Sequence, residues 1–307
     1  MSLEQTNPEL FGWIGATRKD LLQDFFAILP DDRKQFVLKG DDGRSYDGVR
    51  AMLWEVVRKV LGKDTENFAQ LIGDCTSFGC KNCLEYVQAT DIARGVFETW
   101  KPIFPPYCYG AGRVLTGNDP RDWGDGAVAS WLADGVTKFG SISRIDNNCP
   151  PYSAKVAKQW GYSGPPKEFV VIGKQHLAQP PTLVRTWDDV LRALANGYPI
   201  SIASNVGFDM QARSDGFMHR SGHWNHNMSL VGVDDSSNDP YGCILNSWAD
   251  AHGHIIDFVT KEQWPIGTLR VRKNDIIAII EQGDSWAYPG FNGFEAGSLP
   301  PDFFNVM

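Results

Sequence analysis

Apolar positions recur at helical spacing through the first half of the chain and at strand spacing through the second. Leu21, Leu22, Phe25, Phe26 and Leu29 predict one amphipathic helix, after which Pro30-Asp-Asp and Gly40-Asp-Asp-Gly interrupt the pattern. Residues 49–61 predict a second helix, with Met52, Val56, Val57 and Val60 on one stripe. From residue 75 to about 99 there are two stripes. Cys80, Cys83, Leu84 and Val87 form the first, and Ala89, Ile92, Ala93 and Val96 the second, about 180° away around the axis. A helix apolar on both sides is expected at the centre of its domain.

Residues 100–126, dense in Pro, Gly and aromatics, predict a long ordered loop. Helices follow over 127–139, closed by Gly140, and over 187–196, opened by Thr186 as N-cap and closed by Gly197. The period then changes to that of strands over 199–204, 228–233, 241–246, 267–271 and 276–280. Helices first and strands second predict an α+β protein rather than a parallel α/β fold. The same breaks divide the chain into an N-terminal extension (1–48), a domain (49–288) and a Gly/Pro/Phe-rich tail (289–307). Within the domain a helical lobe runs to about 185 and a β lobe from about 186.

Composition narrows the functional classes. Asp and Glu outnumber Lys and Arg by 37 to 29, and the resulting net charge of −8 disfavours a nucleic-acid partner. The longest apolar runs are far short of the roughly 20 residues that span a bilayer, so no membrane segment is expected. The N-terminus lacks a basic stretch followed by an apolar one, which gives a cytoplasmic default. Six cysteines in 307 residues are too sparse for a disulfide scaffold.

Candidate chemistry begins at Gln70-Leu-Ile-Gly-Asp-Cys75. A helix start carries unpaired N–H groups and partial positive charge, so a thiol there is expected to ionise readily and a developing oxyanion to find a donor. Gln70 supplies a second donor across the Gly73 turn, while Asp74 beside the thiol opposes ionisation. His226 opens one predicted strand and Asn246 ends the next. Antiparallel neighbours bring the two side by side, completing the Cys-His-Asn variant of nucleophilic catalysis.

On Gln70, Cys75, His226 and Asn246-Ser-Trp248, in that order, the chain resembles the papain-like cysteine peptidases from about residue 67 to 280. It is also similar to uncharacterised papain-like proteins of bacterial and phage genomes. The resemblance implies a helical lobe and an antiparallel barrel-like lobe with a cleft between them. It implies that Cys75 is the nucleophile, His226 the general base, Asn246 the residue that orients the imidazole and Gln70 the oxyanion-hole donor. Trp123-Gly124-Asp125-Gly126 resembles the family's glycine-rich substrate-binding segment, and Trp248 shields the His–Asn hydrogen bond. The implied reaction is hydrolysis of a protein or peptide amide through an acyl-enzyme, with no cofactor and no metal. Related acyl transfer, a peptidoglycan-cleaving amidase, or a catalytically silent binding protein such as a phage component are the alternatives on the same fold.

The chain departs from the family pattern in several places. The Gln70-to-Cys75 spacing is one residue short, Thr76 replaces an aromatic, and Ala249 replaces the glycine after Asn-Ser-Trp. The usual inhibitory prosegment pattern is absent from residues 1–66. Other residues have plainer readings. Cys80 and Cys83 supply only two ligands and read as packing; Cys108, Cys149 and Cys243 suggest no chemistry. His219, His223 and His226, with His252 and His254, lack the spacing and partners of a zinc site, and His176 has no role.

Overall fold

The structure, a computed structural model, describes residues 10–36, 43–118, 124–145 and 148–295; Trp123 and most of the predicted tail lie outside them. The helical half contains α1 (Lys19–Ile28), a strand β1 (Arg50–Met52), α2 (Leu53–Leu61), α3 (Cys75–Ala93), β2 (Glu98–Thr99), α4 (Pro105–Gly110), α5 (Ala129–Phe139), α6 (Ala154–Ser163), α7 (Lys167–Gly173) and β3 (Thr182–Leu183). The remainder contains α8 (Trp187–Ala195), β4 (Ile200–Phe208), β5 (Arg220–Asp234), β6 (Tyr241–Leu245), β7 (Thr268–Arg272), α9 (Lys273–Ile280), β8 (Trp286–Ala287) and β9 (Phe294–Glu295). One antiparallel sheet runs in the order β3-β8-β4-β5-β6-β7, with β1 added to β5. The α+β expectation holds.

α3 is buried along its length: every residue from Cys75 to Asp91 is inaccessible to solvent or nearly so. The helix is shorter than its pattern. Gly95, at φ +90, turns the chain away, Ile92 is only half-buried, and Ala93 and Val96 are exposed, so the second stripe is buried only at Ala89. Across α3 lies β5, whose side chains pack directly on the α3 backbone at Gly79. A Cβ at Gly79 would lie 1.7 Å from Asn227 Oδ1, and Ser229 Oγ donates to the Gly79 carbonyl at 3.1 Å. This contact fixes the start of α3 relative to the residues around 226.

Four other expectations are corrected. Residues 50–52 are a strand, because their backbone pairs with β5 at Asp234, Val233 and Gly232 before the helix begins. The 100–126 segment holds α4 and a π-helical turn over Ala111–Leu115; Pro105 and Pro106 sit in the first turn of α4, where a missing N–H costs nothing. Residues 276–280 are helical, since Ile276, Ile279 and Ile280 at i, i+3 and i+4 bury one face of α9. The strand predicted at 228–233 belongs to the much longer β5. α6, capped by Ser153 Oγ accepting from Val156 N–H, and α7 were not foreseen. α8 forms as expected. Thr186 and Asp189 make a reciprocal capping box at its start.

Candidate active site

Cys75 is the first residue of α3 and fully buried. Main-chain N–H groups of Asn227, Gly12 and Thr76 face its sulfur. His226 lies on β5 opposite Ser204 of β4, and Asn246 follows β6 directly, held by its own N–H on the Gly267 carbonyl at 2.9 Å. The β5–β6 register brings their side chains together, and His226 Nε2 is 2.8 Å from Asn246 Oδ1. His226 Nδ1 is buried and has no hydrogen-bond partner among the described residues. The Trp248 ring lies over the imidazole at 4.7 Å, tilted by 31°.

Gln70 is tied to the same cluster. Its Oε1 accepts from Ser247 Oγ at 2.5 Å, and its Nε2 donates to the carbonyls of Ile72 at 2.9 Å and Leu10 at 2.7 Å. The Gly124-Asp125-Gly126 loop is supported from behind. Arg113, fully buried, donates to the carbonyls of Gly124 and Gly126, both at 2.8 Å, and Gly126 N–H donates to Tyr109 Oη at 2.6 Å. Asp125 points toward Lys158, 3.7 Å away.

Residues 10–14 cross this site as a strap. Gly12 O accepts from Ala127 N–H at 2.8 Å, Ile14 N–H donates to Ala127 O at 3.2 Å, and Trp13 N–H donates to Asn225 O at 3.0 Å. Phe11 packs edge-on to His226 at 6.2 Å and against Trp248 at 5.9 Å. Only glycine fits at the crossing, where a Cβ on residue 12 would lie 1.8 Å from the Gly73 carbonyl oxygen. The Trp13 indole N–H is held by Asp284 Oδ2 at 2.9 Å. The same carboxylate accepts from the Ala129 and Ser130 N–H groups at the start of α5 and from Trp286 Nε1. α1 then lays Phe25 and Phe26 on Trp286.

Enclosure sets the electrostatics. Burial pushes the Cys75 thiol up to about 12, outweighing the N–H groups aimed at the sulfur; Asp74 adds to the rise. The expectation of a readily ionised thiol is therefore corrected for this covered arrangement, and the expected influence of Asp74 is a minor contribution. Asp74 itself is pushed up to about 8 by burial, with Tyr152 Oη donating to its carboxyl at 3.1 Å. Burial also lowers His226 to about 4, so imidazole and thiol are both neutral.

The structure thus joins His226, Asn246 and Trp248, ties Gln70 to them through Ser247, and meets Cys75 through the main-chain N–H of Asn227, the residue after His226; Gly126 is reached through the strap. The other histidines go elsewhere: His219 bonds Asp215 at 2.7 Å, His254 bonds Gln263, and His223 is exposed. His252 does join the site, bonding Asn246. Cys80, Cys83, Cys108 and Cys243 are buried thiols in the core. Sequence reasoning missed the strap, Ser247, Arg113 and Asp284. The signal for Ser247 was present in Asn-Ser-Trp, and that for the strap in glycines flanking Trp13.

No family profile matches the sequence, and no curated protein does. Solved structures do match. Xylellain, a cysteine protease from Xylella fastidiosa, superposes with a TM-score of 0.59 at 13% identity, covering 94% of this chain and 99% of that one. The Amb a 11 cysteine protease, a ragweed pollen allergen in its proform, gives 0.55 at 15%, covering 98% and 79%. Procathepsin B S9 from Trypanosoma congolense gives 0.53 at 12%, covering 88% and 85%. The chain has the papain-like cysteine protease fold.

Proposed function

We propose that this protein is a cysteine peptidase whose nucleophile is Cys75, held in a covered state by its own N-terminal strap. The observation that carries the reading is the His226–Asn246 contact at 2.8 Å, on the strand whose next residue, Asn227, turns its main-chain N–H to Cys75 at the start of α3. In the reaction His226 Nδ1 takes the Cys75 Sγ proton and the thiolate attacks the carbonyl carbon of a peptide bond. The Gln70 Nε2–H and Cys75 N–H groups stabilise the oxyanion, and the amine leaves with the proton from Nδ1. Water then hydrolyses the thioester, with His226 as base. Two features support these roles. Nδ1 of His226 has no partner among the described residues, and Gln70 Nε2 already donates to a main-chain carbonyl, that of Leu10.

Gly124, Asp125 and Gly126 would bind substrate backbone where the strap now pairs with Ala127, and Trp248 would keep water from the His–Asn bond. An electrophilic epoxide peptide tests the nucleophile. Mass spectrometry should find one adduct, on Cys75, in the wild type and none in Cys75→Ala; comparable labelling of Cys149 or Cys243 would oppose the assignment.

A further inference from the structure

Asn246 makes a second side-chain contact. Its Nδ2 lies 2.7 Å from His252 Nε2, and His252 Nδ1 lies 3.1 Å from the Met210 carbonyl oxygen. His252 is 1% exposed, stacked on Trp248 at 5.6 Å and tilted against Trp224 at 5.9 Å. Hydrogen-bond chemistry orders the whole chain of contacts. A carbonyl only accepts, so His252 Nδ1 carries a hydrogen, and in the neutral ring Nε2 is then a bare lone pair. That lone pair can only accept, so the Asn246 NH2 group must face it. The Asn246 oxygen therefore faces His226 Nε2, where it also accepts from Ser247 N–H at 2.8 Å. An oxygen at that position requires a hydrogen on Nε2, which leaves Nδ1 of His226 bare.

We infer that His252 is a positioning residue: by accepting from Asn246 it fixes the amide orientation that sets His226 in its Nε2–H tautomer, leaving Nδ1 free to take a proton. Were the amide reversed, its NH2 would face His226 Nε2 and force the hydrogen onto Nδ1, the tautomer that cannot act as base. Ser247 N–H and His252 hold the two ends of the amide, so loss of His252 weakens the preference rather than abolishing it. The inference rests on the triad reading for its catalytic meaning, while the tautomer itself is measurable without turnover.

The test uses the full chain with 15N-labelled histidine and long-range proton–nitrogen correlation spectra. In the wild type, His226 should show the Nε2–H pattern and His252 the Nδ1–H pattern. His252→Phe keeps a ring between the two tryptophans but cannot accept, and His226 should then show a mixture of the Nε2–H and Nδ1–H forms. His252→Gln can accept through Oε1 and should restore Nε2–H. Where peptide turnover is measurable, kcat should fall about 10- to 100-fold in His252→Phe with KM little changed, as for partners that orient a working ligand. A pure Nε2–H pattern for His226 in His252→Phe would overturn the inference, as would a wild-type His252 in the Nε2–H form. If His252→Phe fails to fold, the wild-type and His252→Gln spectra decide. A wild type that turns over no peptide but shows these tautomers would count against the peptidase reading and not against the positioning role.

Discussion

Asp74 carries the sharpest residue-scale consequence. Burial raises its carboxyl to about 8 in the folded chain from an ordinary 3.8, outweighing the hydrogen bonds from the Tyr152 hydroxyl and its own N–H. A raised carboxyl binds its proton more tightly folded than unfolded, so its contribution to stability is full below about pH 4 and is lost as pH rises through 8. Asp74→Asn removes the titration, and in thermal melts its stability relative to wild type should increase from pH 5 to about pH 8 and level off above it; a difference independent of pH would contradict the assignment. His226 and His252, both lowered to about 4 by burial, act on the other side, and their contribution is lost as pH falls from 6.5 toward 4. Of the residues themselves, Gln70, Cys75, His226 and Asn246 could be singled out in the sequence as candidates by their chemical types and order. His252 was not, because its role depends on a loop that folds back to Asn246. The departure at Ala249 proves to be a real strain: its φ of +50 is the left-handed conformation that a glycine adopts freely.

At the scale of elements the strap is the feature that decides accessibility. It is held by a handful of backbone hydrogen bonds, the Trp13–Asp284 contact and the packing of α1, and its weakest geometric tolerance is at Gly12. Gly12→Ala places a methyl group against the rigid Gly73 backbone. Overpacking of this kind costs roughly 1–3 kcal/mol, which translates to about a 5- to 150-fold larger uncovered population. The iodoacetamide reaction rate at Cys75, followed by mass spectrometry at pH 7.5, should rise by a factor in that range. An unchanged rate would mean that the strap does not limit access. Nothing in the hydrophobic pattern announced this segment, because a strand that pairs through its backbone across a cleft needs no periodicity. The misreading of α9 has a related cause: Ile276 to Ile280 is a run too short for period alone to separate strand from helix, and burial on one face against the sheet settles it. Pro105-Pro106 was read as loop although two prolines fit a helix start equally well.

For the whole molecule, the order of helices before strands was enough to give the α+β architecture, and the stripe of Cys80, Cys83, Leu84 and Val87 was enough to give its central helix, although the second stripe beyond Ala89 is not buried. What could not be read was the pairing of β1 with β5 and of β3 with β8, contacts between segments far apart in sequence whose partners carry no complementary signature. The assembled molecule places a thiol, an imidazole and an amide where three elements meet, and covers them. The proposed activity is hydrolysis of peptide bonds at this site once it is uncovered. The most direct measurement is kcat/KM for a pool of internally quenched peptides, comparing Gly12→Ala with the double variant Gly12→Ala/Cys75→Ala. Turnover is expected in the first and a loss of at least about 1,000-fold in the second, as when a covalent nucleophile is removed. Undiminished turnover without Cys75, or an alkylatable Cys75 that cleaves no peptide in the pool, would contradict it.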